Sequence, residues 1–193
     1  MDLRDRILDA AATVYAETGF RGATTRRIAE RAGVNEITLF RHFGSKTRLL
    51  HEAVKCAGLG SNLCPLPRRP IDPPAELRAW AAGTYLFLYE RRSLIRTAMG
   101  EMEERPELLP GGESPTVCAG RDLHDYLTKL RDDGWIGSEV DLRAAAMMLM
   151  GTLFGDAVTR DFVPPAFLVP PDTTVDHYLA LFVRALGLKE HAS

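Results

Sequence analysis

The segment from Thr24 to Lys46, which reads TTRRIAERAGVNEITLFRHFGSK, constrains the fold more than any other part of the chain. Either threonine at its start can cap a helix by accepting a hydrogen bond from a free backbone N–H. Apolar spacing then predicts a helix to about Ala32, and Gly33 supplies a tight turn. Asn35 is a good cap for a second helix. The segment therefore predicts two short helices joined by a glycine turn.

The second of these helices divides into an inward and an outward face. Leu39 and Phe43 lie four residues apart and are predicted to face inward. The outward positions are Glu36, Ile37, Thr38, Arg41 and His42. From such positions a helix in the major groove reaches base edges and phosphates. A helix pair of this kind also occurs in proteins that do not bind nucleic acid. The flanking sequence is therefore needed to distinguish a DNA-binding protein from these others.

The flanks supply two more helices in the expected places. Upstream, Arg6 to Phe20 is amphipathic and is predicted to stop at Gly19. Downstream, Ser45 can cap a fourth helix that carries Lys46 in its first turn. With these flanks, about the first 55 residues resemble the TetR family of bacterial transcriptional regulators.

The resemblance implies roles for individual residues of this segment. Thr25 would touch a phosphate, and Arg26 a phosphate or a guanine edge. The positions that match the family's base-reading residues are Glu36, Ile37 and Thr38. The positions that match its phosphate contacts are Phe40, His42 and Lys46. Phe40 departs from the family, in which tyrosine is usual, so a hydroxyl bond to phosphate would be absent there.

The charge distribution fits a DNA-binding head. Residues 19–55 contain eight basic and three acidic residues, an excess of five positive charges, whereas the whole chain carries a formal charge of −2. The remainder therefore carries −7, which places the attractive field at one end. A sequence-independent, nucleoid-type DNA-binding protein would instead spread basic residues over both halves.

The chain after residue 57 is predicted to be helical between proline-rich breaks. Five prolines lie between Ala57 and Pro74, where neither helix interior nor central strand is expected. Helices are then predicted at about 74–91, 93–104, 116–133, 140–160 and 173–186. No run alternates with period two. The predicted fold is all-α, with a DNA-binding helix-turn-helix domain at 1–55 and an effector-binding and dimerisation domain at 56–193.

The last two predicted helices are apolar on nearly every side. A helix of this kind has to be buried all round, and in a body of about five helices that indicates a second subunit. Gly151 and Gly155 would let two helices approach closely, with Tyr178 and Phe182 on the final helix as further interface residues. An ordinary core helix is the alternative. The family resemblance implies a dimer through these two helices, which suits a palindromic operator.

A group of large apolar side chains in the body indicates either a cavity or a plain core. The family resemblance favours a cavity for a small, often hydrophobic effector. The candidate residues are Trp80, Tyr85, Leu88, Tyr89, Met99, Met102, His124, Met147 and Phe154.

Other functional classes find little support in the sequence. Cys56, Cys64 and Cys118 lack metal-ligand spacing, so reduced thiols and no metal or cofactor are expected. The longest apolar stretch, 144–155, is shorter than the roughly 20 residues that a membrane span requires, and a cytoplasmic protein is expected. An enzyme is not expected, and its only plausible catalytic residues would be Glu101, Cys118, His124 and Asp156.

These observations predict a repressor that a small effector releases from a palindromic operator. The alternatives are an activator and an effector-independent DNA-binding protein of the same fold.

Overall fold

The structure, a computed structural model, describes residues 2–59, 65–108 and 114–188. Within these ranges all regular structure is helical, which confirms the all-α prediction. The α-helices are α1 (Leu3–Gly22), α2 (Thr25–Ala32), α3 (Glu36–Phe43), α4 (Lys46–Leu59), α5 (Pro73–Glu90), α6 (Arg92–Gly100), α7 (Pro115–Asp132), α8 (Leu142–Thr159) and α9 (Pro171–Leu186). Short 3-10 turns lie at Pro106–Leu108, Arg160–Phe162 and Pro165–Phe167.

The chain divides into two compact units. The first contains Met1–Ser61 and Arg91–Pro115, and the second contains Asn62–Glu90 and Thr116–Ser193. Helix α6 thus packs with the first unit, although it lies within the predicted body segment 56–193. The functional division at residue 55 stays a prediction.

In the first unit, α1 is the central element and contacts α2, α4 and α6. Its buried stripe includes Ile7, Ala11 and Tyr15. Helix α1 breaks at Gly19, where φ is 66° and ψ is −177°. A Cβ there would lie 3.0 Å from the Glu101 carboxylate, in a backbone conformation that side chains rarely adopt. The predicted stop at Gly19 is confirmed as this break.

Helix α6 ends earlier than the predicted residue 104. The helix stops at Gly100, and residues 101–104 form a turn. Glycine weakens a helix, and Arg105 precedes Pro106, a position that disfavours helical backbone. The prediction missed this because the apolar spacing continues past the glycine.

In the second unit, α5 packs against α8 and α9. Its buried face includes Leu77, Trp80 and Leu88. The Tyr126 hydroxyl on α7 donates a hydrogen bond to the Glu76 carboxylate on α5. None of the helices in the described residues is long and apolar enough to cross a membrane.

Candidate nucleic-acid interface and ligand groove

Helix α3 is fixed at both ends and along its inner face. The Asn35 side chain accepts a hydrogen bond from the Ile37 N–H at 2.9 Å, which confirms the predicted cap. Gly33 adopts the left-handed conformation that the turn requires. Leu39 and Phe43 are buried. Ile37 and Phe40 are consequently 73 % and 50 % exposed, as the predicted outward face requires.

The first turns of α2 and α3 are joined by two predicted DNA-facing side chains. The Thr25 hydroxyl donates to the Glu36 carboxylate at 2.7 Å. A hydroxyl carries a single hydrogen, so the Thr25 hydroxyl cannot donate to a phosphate while this bond persists. The second Glu36 oxygen has further acceptor capacity for a cytosine amino group. Sequence reasoning missed this bond because it joins residues eleven positions apart.

Several basic residues of the predicted field are paired in this structure. Arg26 Nε lies 2.9 Å from Glu30, and Arg48 Nε lies 3.1 Å from Glu52. The Arg26–Glu30 pair is exposed on both sides and holds its arginine weakly, whereas the Glu52 side chain is only 19% exposed and also pairs with Arg4. In the part of the chain that the structure describes, Arg41 and Lys46 have no carboxylate within ion-pair distance.

Lys46 has a less expected partner. Its Nζ lies 4.1 Å from the centre of the Phe20 ring, a cation–π arrangement. Burial and then the nearby positive charge of Arg105 lower the pKa of Lys46, whereas Glu101 opposes the shift. Neither Phe20 nor Arg105 was among the predicted site residues.

The second unit contains an open groove between α7 and α8 of about 480 Å³. Its lining is almost entirely apolar, with one arginine at the edge. The lining residues are Thr116, Val117, Gly120, Arg121, Ala146, Met147, Met150, Gly151 and Phe154.

One face of α8 is apolar, and no other part of the described residues covers it. Met147 and Met148 are exposed, and a Cβ at Gly151 or Gly155 would meet no atom within 4 Å. The expectation that this helix is buried all round is therefore not met within one chain. On the neighbouring helix α9, Leu181 is also exposed.

A buried polar cluster joins α5, α8 and α9. Arg160 donates to Asp156 from two nitrogens, at 2.9 and 3.2 Å. Tyr85 donates to the same carboxylate at 3.4 Å and Tyr178 at 2.5 Å. Burial and Asp156 raise the pKa of Tyr178 to about 12. Both carboxylate oxygens of Asp156 thus accept hydrogen bonds, and these bonds connect α5, α8 and α9.

Comparison with known proteins agrees with the resemblance in the head. Residues 7–53 match the model of bacterial regulatory proteins of the tetR family. Over these residues the chain has the helix-turn-helix head of the TetR family. It is a DNA-binding transcriptional regulator with a helix-turn-helix head.

Relatives and neighbours extend the likeness to the whole chain. The transcriptional repressor KstR2 of Rhodococcus jostii is 26% identical, over 95% of this chain and 91% of the relative. A TetR-family regulator from Mesorhizobium loti has the same fold, with a TM-score of 0.75, 20% identity and coverage of 94% of this chain and 95% of that one. FadR of Bacillus subtilis, solved with stearoyl-CoA, has a TM-score of 0.71 at 20% identity, covering 94% and 98%.

The structure does not bring the predicted effector residues together as one set. Met147 and Phe154 line the groove. Trp80, Tyr85 and Leu88 are buried, as the core alternative predicted. Tyr89 and His124 are half-buried members of the second unit. The half-exposed Met99 and Met102 belong to the first unit.

The predicted interface residues lie on α8 and α9, the last two helices of the described residues. Gly151 is exposed and Gly155 half-buried. Tyr178 is half-buried and donates to Asp156, whereas Phe182 is buried. Their role in a dimer stays a prediction.

The remaining sequence candidates are the cysteines and the residues that an enzyme would need. Cys56 and Cys118 are free thiols, and Cys64 lies outside the described residues. In the described ranges no group of histidine, cysteine and carboxylate side chains could hold a metal ion. Glu101 and Asp156, two of the residues that an enzyme would need, are engaged in structural hydrogen bonds.

Proposed function

We propose that this chain is a dimeric repressor that leaves a palindromic operator when a small apolar molecule occupies its body. The exposed face of α3 carries the proposal for DNA. That helix is capped and anchored by buried side chains, while its outward residues have few contacts to lose. Such a rigid, exposed helix is what major-groove reading requires.

The uncovered face of α8 supports the dimer. Methionines and glycines on one helix face, with exposed Leu181 on α9, form an apolar surface without charge along its centre. A second copy of the chain would cover the same surface by two-fold symmetry. Because Met147 and Gly151 also line the groove between α7 and α8, the second copy would close one side of that groove. Two heads can then contact half-sites one helical turn of DNA apart.

The groove between α7 and α8 supports an elongated, apolar effector. Its volume of about 480 Å³ is in the range of small-molecule sites, and Arg121 offers a cation at the edge. An acyl chain with an anionic end matches this chemistry. The complex of FadR with stearoyl-CoA, a protein of the same fold, points to the same class.

Release from the operator requires only that the effector bind one conformer of the dimer modestly more tightly than the other. We propose that the effector favours a dimer conformer whose recognition helices no longer fit successive major grooves. A coupling of about 3 kcal/mol would weaken operator binding on the order of a hundredfold.

Selection of genomic DNA fragments by the purified protein tests the operator. Sequencing of the retained fragments should yield a palindromic motif. Retention of all duplexes alike would contradict the proposal and indicate a sequence-independent DNA-binding protein.

Titration of that operator with acyl-CoA esters of increasing chain length tests the effector. Gly120→Leu should abolish release, because its side chain would fill the groove while its Cβ makes only an ordinary contact 3.8 Å from Met150. Gly137→Leu, at an exposed turn with open space around it, is the matched control and should release normally. Equal release of both variants would place the effector elsewhere.

A further inference from the structure

The segment that follows α6 is held firmly within the first unit. Leu108 is buried in the core formed with α1 and α4. A ring nitrogen of His51 lies 2.9 Å from the Glu107 carbonyl oxygen. The 3-10 turn at Pro106–Leu108 therefore fixes the backbone on one side of Arg105.

The other side of Arg105 is fixed by Glu101. The Phe20 N–H donates to one Glu101 oxygen at 2.7 Å, and the Tyr15 hydroxyl donates to the other at 3.1 Å. The Arg105 N–H donates to the Glu101 carbonyl at 2.8 Å. Glu101 thus ties Arg105 to the break in α1, directly before the helix-turn-helix.

This arrangement places two cations on one aromatic ring. Arg105 Cζ lies 3.9 Å from the centre of the Phe20 ring, and Lys46 Nζ lies 4.1 Å from it. The two charges are therefore at most about 8 Å apart. Over the described residues, neither has a carboxylate at ion-pair distance, and both Glu101 oxygens already accept hydrogen bonds.

Two neighbouring cations beside a single carboxylate, Glu101, whose two oxygens already accept hydrogen bonds, keep a positive excess that attracts anions. The ring offsets part of their repulsion, and a bound phosphate would offset the rest. Negative charges recur about every 3.4 Å of helix axis along one DNA strand. Two cations held within about 8 Å of each other can therefore contact phosphates of the same strand.

We propose that Arg105 is an additional DNA phosphate contact, which neutralises the phosphate next to the one bound by Lys46. This inference rests on the proposed operator binding. It adds to the DNA interface a residue from outside the helix-turn-helix segment, on the chain that follows α6.

The test is the salt dependence of operator binding by the full-length protein. Titrations between about 50 and 200 mM salt give the slope of log affinity against log salt, to which each phosphate contact contributes about −0.9. Arg105→Gln should make the slope shallower by about 0.9 for each subunit on the operator. Arg105→Lys keeps the charge and should retain the wild-type slope.

A charge-matched control separates a local contact from a general effect of net charge. Arg69→Gln, at an exposed position of the second unit before α5, should leave the slope unchanged. An unchanged slope for Arg105→Gln, or an equal loss for Arg69→Gln, would overturn the inference. Failure of the wild type to prefer any operator sequence would instead overturn the proposed function.

Discussion

Each unit contains an arginine paired with a carboxylate one helical turn away, but the two pairs lie in opposite environments. On α2, the side chains of Arg26 and Glu30 are 78% and 63% exposed. In the second unit, the side chains of Arg160 and Asp156 are 6% and 8% exposed. An exposed pair exchanges readily for a phosphate, whereas a buried pair fixes the packing around it.

The two units also differ in which of their apolar residues are exposed. In the described part of the first unit the most exposed large apolar side chain is Ile37 at 73%, which with Phe40 faces the proposed DNA, and Met99 and Met102 are about half exposed. The second unit leaves a stripe of α8 uncovered, including Met147 and Met148. The head thus exposes apolar residues where DNA is proposed to bind, whereas in the body the proposed dimer would complete their burial.

The largest expected effect tests that partner. With open space around Gly151 in the single chain, Gly151→Leu should stabilise a monomer, because leucine favours a helix over glycine by about 1 kcal/mol. In a close-packed dimer the same change should cost about 1–3 kcal/mol for each subunit, and the clash is counted twice. The sign of the effect therefore distinguishes the two states.

Sedimentation equilibrium and operator titration without effector measure this effect. Gly137→Leu, at an exposed turn, is the control. A wild type that sediments as a monomer at micromolar concentration would exclude the dimer. A Gly151→Leu variant that stays dimeric with unaltered operator affinity would place the interface elsewhere.

The buried pair should give the next largest effect. Arg160→Met leaves the Asp156 carboxylate buried without its cation, although the Tyr85 and Tyr178 hydroxyls still donate to it. We expect a loss of about 3 kcal/mol in the free energy of unfolding, at the lower end of the range for broken buried pairs. Chemical denaturation measures it.

A double variant checks the cause. Asp156→Leu combined with Arg160→Met removes both charges and should recover much of the stability. A double variant no more stable than Arg160→Met alone would show that the arginine acts through its other contacts, the Val169 carbonyl and the Thr174 hydroxyl.

The sequence predicts a unit well where the residues that determine its structure are close together in the chain. In the head, capping residues, a glycine turn and apolar spacing are local, so Asn35, Gly33 and the burial of Phe43 were all predicted correctly. The Thr25–Glu36 hydrogen bond and the contact of Arg105 with the Phe20 ring join residues distant in sequence, and no local pattern indicates them.

In the body, apolar residues alone do not distinguish a core from a cavity. Trp80 and Leu88 proved to be core, whereas the groove is lined by small residues, Gly120 and Ala146 among them. A groove depends on the spacing between helices, and single positions do not encode it. Arg160 lies four residues after Asp156, at ion-pair spacing, but the burial of the pair with Tyr85 and Tyr178 depends on other helices and could not be predicted.

A third prediction separates base reading from phosphate contact within the head. Glu36→Ala and Thr38→Ala should each change operator preference by about 1–3 kcal/mol at the affected base pair. Lys46→Ala should weaken all sequences alike and make the salt slope shallower by about one unit per subunit. Binding to a library of single-base operator variants measures both. If Lys46→Ala altered preference and Glu36→Ala did not, the assignment of roles would be wrong.

The smallest expected effect concerns the exposed pair on α2. Glu30→Gln removes the carboxylate that holds Arg26 and competes with DNA phosphate for it. Because both side chains are largely exposed, the thermal midpoint should stay close to that of the wild type. Operator affinity should rise a few-fold at low salt, since one negative charge leaves the binding face and Arg26 becomes available. The gain should fade as salt screens the field. A clear drop in thermal midpoint, comparable with that of Arg160→Met, would mean that the exposed pair is structural and that the contrast between the two units does not hold.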